Sequence, residues 1–106
     1  MEKILCAAIW YKELPLLKNN IPSNLLRPVN CNSGIVFCGC RHPHCLYQMV
    51  AMTGKRQCEV GKYIQGFLTN KHRFVDRKEG ASIALACGQI DKLNYSSDSL
   101  YSEDLY

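Results

Sequence analysis

The sequence predicts an α+β fold, a small antiparallel sheet with two helices packed on one side. Three observations carry this. Apolar runs at Ile4 to Tyr11, Gly34 to Cys40 and Tyr63 to Thr69 have strand length and are bounded by turn residues. The stretches after Pro43 and after Asp76 have helical spacing and recognisable starts. Gly54 and Gly88 stand where those two helices should stop. A chain of 106 residues makes one domain, residues 1–106, with a modest core.

The first run, Ile4 to Tyr11, ends in Trp10 and Tyr11 and is apolar at nearly every position, as a strand covered on both faces requires. Residues 12–33 form a long connection with Pro15, Asn19, Asn20, Pro22, Pro28, Asn30 and Asn32, which is turn chemistry with room for one short strand or helical turn. Gly34 to Cys40 is the second strand. Arg41-His-Pro-His44 opens a helix, with Pro43 suited to its first position and Leu46, Met49, Val50 and Thr53 on one face. Tyr63 to Thr69 and Arg73 to Val75 form a hairpin around a polar turn at Asn70 and Lys71. The second helix runs from Asp76 to about Cys87, with Ile83 to Ala86 as its apolar body. Residues 95–106 form an acidic tail. Its Leu100, Tyr101, Leu105 and Tyr106 are spaced to dock on the body or on a partner subunit.

Composition narrows the function. A hydrophobic fraction of 47% is too high for a disordered chain. No apolar run approaches the roughly 20 residues needed to span a bilayer, and the N-terminus does not read as a secretory signal. The expectation is a cytoplasmic protein, in the host cytoplasm if phage-encoded, with no membrane partner. The tail holds three acidic residues and no basic one, so a net charge of +4 leaves +7 on the rest. That balance suits a small anionic ligand. Without a basic run, a basic helix or an RNA-binding aromatic motif, it does not argue for duplex nucleic acid.

Seven cysteines is an odd count, and with no secretory signal it speaks against a disulfide framework. Cys6 and Cys87 read as small buried hydrophobes. The run Cys31, Cys38, Cys40, His42, His44 and Cys45 raises two further readings. One is a zinc-binding structural module built on Cys38, Cys40, His42 or Cys45, since alternation would point Cys38, Cys40 and His42 the same way in an extended segment. The spacing lacks the paired ligands of common zinc sites. The other is a Cys/His enzyme with Cys45 in the first turn of a helix, although no base or orienting group can be placed beside it.

An anion site is the reading with most support. Asp76 and Glu79 have capping-box spacing, and Arg73 and Arg77 flank that helix start four residues apart. Arg41 and His42 stand at the other helix start. If the two starts meet at one edge of the sheet, they form one pocket with several donors, to which Asn70 in the hairpin turn adds a polar group. Phe67 and Phe74, together with Trp10 and Tyr63, are candidates to stack on a base. There is no paired-carboxylate, Ser/His/Asp, Walker or Rossmann pattern, so binding without turnover and without a cofactor is the economical expectation.

Five blocks carry a resemblance. Gly39-Cys-Arg-His-Pro-His-Cys45, Gln65-Gly-Phe-Leu-Thr69, Arg73-Phe-Val-Asp-Arg-Lys-Glu79, Gly88-Gln-Ile90 and Leu100-Tyr-Ser-Glu-Asp-Leu-Tyr106 resemble a family of small phage and prophage proteins. That family is similar to the first type of Thoeris anti-defence protein, a sponge for a cyclic ADP-ribose signal made by a bacterial TIR-domain immune enzyme. The resemblance implies capture, not cleavage, by a homodimer or higher homo-oligomer. It also implies arginines, here Arg73 and Arg77, on the ligand phosphates and aromatic stacking on its base. The cysteine-rich run at 31–45 is not a feature of that family.

Overall fold

The computed structural model describes residues 1–16 and 21–105. Its element order is β1 (Ile4–Tyr11), α1 (Ser23–Leu26), β2 (Ile35–Gly39), α2 (His42–Thr53), a single 3-10 turn (Gln57–Glu59), β3 (Tyr63–Thr69), β4 (Phe74–Asp76), α3 (Arg77–Ala86) and α4 (Ser102–Leu105). The four strands form one antiparallel sheet in the order β2-β1-β3-β4. The α+β expectation holds. In the long connection the regular element is the short α1; Asn19 and Asn20 lie outside the described residues.

The continuous apolar character of β1 follows from its central place. Ala7, Ile9 and Tyr11 face the helices, with Phe37, Phe67, Val75, Cys45, Met49, Ala81 and Ala84. Ala8 faces the other side with Cys31 and Phe74, beside the half-buried Trp10, Val36, Cys38, Ile64 and Leu68. The outer edge of the short strand β4 is closed by a side chain. Asn30 Nδ2 donates to the Phe74 carbonyl at 2.6 Å, and the Phe74 N–H donates to Asn30 Oδ1 at 2.8 Å. One asparagine thus replaces a neighbouring strand at that edge.

Both helices have the expected ends, with two corrections. Helix α2 begins at His42, so Pro43 is its second residue, not its first. It stops at Gly54, whose left-handed backbone (φ 72°) lets its N–H reach the Val50 carbonyl at 2.8 Å. Asp76 caps α3 by accepting from the Glu79 N–H at 2.8 Å. The reciprocal half of the capping box is missing. Glu79 turns to Arg73, at 2.9 Å, because a guanidinium is a stronger partner than a backbone amide.

The tail packs on its own chain. Leu100 is fully buried against Phe67 and Gly80, and Leu105 is partly buried against the core. Tyr106 lies outside the described residues. Among the described residues no helix is long and apolar enough to cross a membrane.

Candidate functional site

The strand register determines where the two long helices begin. Gly39 at the end of β2 is level with Ala7, Ala7 with Phe67, and Phe67 with Val75, one residue before the cap of α3. Helices α2 and α3 therefore start at one level of the sheet. They then part: α2 leads to Thr53 beside Leu14, and α3 leads to Gln89, whose side chain bonds both main-chain groups of Ile4. Two helix N-termini, each with outward amides and positive potential, meet over the sheet.

His42 and Arg77 meet there. The His42 Nε2–H donates to the Gly66 carbonyl at 2.8 Å, a tautomer that leaves Nδ1 as an acceptor, 3.4 Å from an Arg77 terminal nitrogen. The Phe67 ring lies edge-on beneath the imidazole, 5.2 Å between centroids. Burial holds the His42 pKa below its ordinary value, and the adjacent Arg77 charge adds to that. Arg77 donates to the Gln65 amide oxygen at 2.7 Å and to the Leu100 carbonyl at 2.9 Å, and its guanidinium lies 4.4 Å from the Tyr101 ring centroid. Burial also lowers the Arg77 pKa, while Tyr101 and Glu103 act in the opposite direction. Arg41 donates to the Ser102 carbonyl.

The family model described as phage T4 y16D protein matches residues 3–106. The chain belongs to this phage protein family. No curated protein and no solved structure matches it.

In this y16D-family chain the eight residues singled out from the sequence do not form one cluster. Arg41, His42 and Arg77 converge, with Phe67 below them as a fully buried support and Asp76 as the exposed cap beside them. Arg73 stands apart. It grips Glu2 through two bonds of 2.9 Å and Glu79 through a third, which holds the Glu2 carboxyl down at about 2. Asn70 is occupied with the N-terminus, where its side-chain oxygen accepts from the Lys3 N–H at 2.8 Å. Phe74 is on the opposite face of the sheet, edge-on to Trp10 at 5.8 Å. Tyr63 packs against Tyr11, and Gln57 bridges their hydroxyls.

The cysteine readings meet a different arrangement. Strand β2 ends at Gly39, so the alternation that would align Cys38, Cys40 and His42 stops there. Cys38 lies on the far face, Cys40 is exposed and His42 is on the helix side. Among the described residues no group of three or more His, Cys, Asp or Glu side chains could hold a metal ion. The Cys45 thiol is fully buried, and burial pushes its pKa up to about 11, so it is a protonated thiol at neutral pH. Cys6 and Cys87 are half-buried, not core.

Five contributors to the cluster were not singled out: Gln65, the Tyr101 ring, and the main-chain carbonyls of Gly66, Leu100 and Ser102. Gln65 had a readable signal. In a strand with Phe67 and Thr69 on one face, position 65 shares that face, and a glutamine among core positions needs a polar partner.

Proposed function

We propose that this protein captures a small nucleotide-derived anion, of the cyclic ADP-ribose or cyclic oligonucleotide class, and holds it uncleaved. Sequestration of that kind counters TIR-based bacterial immunity by withholding the signal. The observation that carries the reading is Arg77. Its guanidinium is half-buried and hydrogen-bonds neutral acceptors, namely the Gln65 amide, the Leu100 carbonyl and His42. Among the described residues no carboxylate lies within 4.0 Å of it. A cation removed from water with no counter-charge in contact gains more from an anionic oxygen than from an amide. Arg41 and the two helix starts add donors of the same sign.

Thermal shift against cyclic dinucleotides, cyclic trinucleotides and cyclic ADP-ribose isomers tests the reading. One class should raise the melting temperature, and Arg77→Met should weaken that binding roughly 10- to 150-fold, the value of a charge-assisted hydrogen bond. Ligand released by heating should be chemically intact. Absence of binding across the panel, or accumulation of a cleaved product, overturns the proposal.

The reading includes self-association as a homodimer or larger assembly. The exposed Tyr47 and Met52 on α2 are apolar surface available for it. Light scattering should give a mass above the 12.0 kDa of one chain; a monomer at micromolar concentration refutes this part.

A further inference from the structure

We infer that the segment Leu100–Ser102 occupies the anion site in the place of its ligand, and that a compact molecule carrying both a planar base and a pyrophosphate displaces it. This rests on the function proposed above. Three successive residues present an oxygen, an aromatic ring and an oxygen to the two arginines. The Leu100 carbonyl accepts from Arg77, the Tyr101 ring lies 4.4 Å from the same guanidinium, and the Ser102 carbonyl accepts from Arg41. A base stacked on Arg77 with phosphate oxygens in line with its donors makes the same set of contacts, with formal negative charge where Leu100 offers Arg77 a carbonyl dipole.

The tail is built to be held and released. Among the described residues one backbone–backbone bond, from the Leu100 N–H to the Arg77 carbonyl at 2.9 Å, ties it to the body, and Leu100 fills the notch over Gly80 and Phe67. Behind that anchor, residues 91–99 have no helix or strand and are mostly exposed. The side-chain bonds among Ser96, Asp98 and Ser99 are local, and the link from Lys78 to Asp98 is an exposed pair at 3.7 Å, worth little in water. In front of the segment, Glu103 is exposed on α4 and its charge acts on both His42 and Arg77. An anion arriving at Arg77 thus replaces neutral contacts and displaces a segment that brings a carboxylate with it.

Calorimetric titration of the full chain tests this with two probes: cyclic ADP-ribose, which has a base and a pyrophosphate, and inorganic pyrophosphate, which has no base. Cyclic ADP-ribose should bind more tightly. Tyr101→Ala should tighten its binding roughly 2- to 30-fold, because the competing ring is gone. Glu103→Gln, which removes a tail charge that acts on Arg77, should shift affinity in the same direction. Hydrogen exchange at the Leu100 amide should accelerate when cyclic ADP-ribose is bound. Binding by the wild type that is weakened by Tyr101→Ala, or that leaves Leu100 protected, overturns the displacement while the proposed function stands. Pyrophosphate binding as tightly as cyclic ADP-ribose overturns the role of the base. No binding of either probe by any of the three proteins overturns the displacement and removes cyclic ADP-ribose from the proposed function, which then rests on the cyclic oligonucleotides alone.

Discussion

Gly66 offers the sharpest test of how the site is built. It sits in β3, opposite Ala8 on one side and Asp76 on the other, and its carbonyl receives the His42 N–H. A Cβ at this position overlaps the Val75 carbonyl oxygen and comes within 2.9 Å of Phe74 Cζ. The first obstacle is backbone, so no side-chain rotation relieves it, and β4 must move. Overpacking of this kind costs about 1–3 kcal/mol, and the upper end applies when a paired strand is displaced. At about 4–8 °C per kcal/mol for a domain of this size, Gly66→Ala should melt roughly 12–24 °C below the wild type. The control is Gly54→Ala. Gly54 is left-handed at φ 72° but has no atom within 4 Å of a built Cβ, so only conformational strain of about 1–2 kcal/mol applies. The assay is thermal denaturation by circular dichroism at neutral pH. A Gly66→Ala protein that melts within about 4 °C of the wild type, or one more stable than Gly54→Ala, refutes the close-approach argument.

Other outcomes follow from the same contacts. His42 has a folded pKa below its unfolded value, so its contribution is complete above about pH 6.5 and is lost as pH falls from there toward the folded value. Urea denaturation should show stability falling by up to about 1.4 kcal/mol per pH unit below pH 6.5, and His42→Gln should remove that part of the slope; an unchanged slope counts against the buried neutral imidazole. Glu2 is held at about 2 by Arg73, so its contribution is present above about pH 4.5 and disappears as pH falls through about 2. In Arg73→Gln the acid limb between those values should flatten, and denaturation curves from pH 6 to 2 that match the wild type exclude it. Asn30→Ala leaves the N–H and carbonyl of Phe74 without their partner and should cost about 1–3 kcal/mol, with faster hydrogen exchange at the Phe74 amide; a protected amide shows that another group closes that edge.

The parts of this fold that sequence reasoning reached are the ones set by local periodicity. Strands β1 and β3 begin and end where their apolar runs do, and α2 and α3 start and stop at their caps. The convergence of His42, Arg41 and Arg77 was readable for the same reason, since each sits at a helix start. What was not readable depends on partners far away in sequence. Arg73 looked like the twin of Arg77, but Glu2, 71 residues earlier, claims it. Asn30 looked like turn chemistry, yet it serves as the edge of a strand 44 residues later. The carbonyls of the tail carry no residue-type signal at all, because any amino acid supplies one. The cysteine alignment failed because a period-2 argument was extended past Gly39, where the strand has already ended.

The central position of β1 has a consequence for synthesis. Of the sheet's two inner strands β1 is made before β3, and it can pair on one side once β2 follows. Its other partner, β3, is complete only at Thr69, which at 5–20 residues per second is about 3–12 s after Tyr11 is made. Throughout that interval an unpaired edge with Ile4, Ala8, Ile9 and Trp10 is open to other nascent chains. Chaperone capture and translation speed during those seconds therefore bear on yield alongside the stability of the finished domain. Variants that slow the emergence of residues 63–69 should accumulate in inclusion bodies while melting normally once purified.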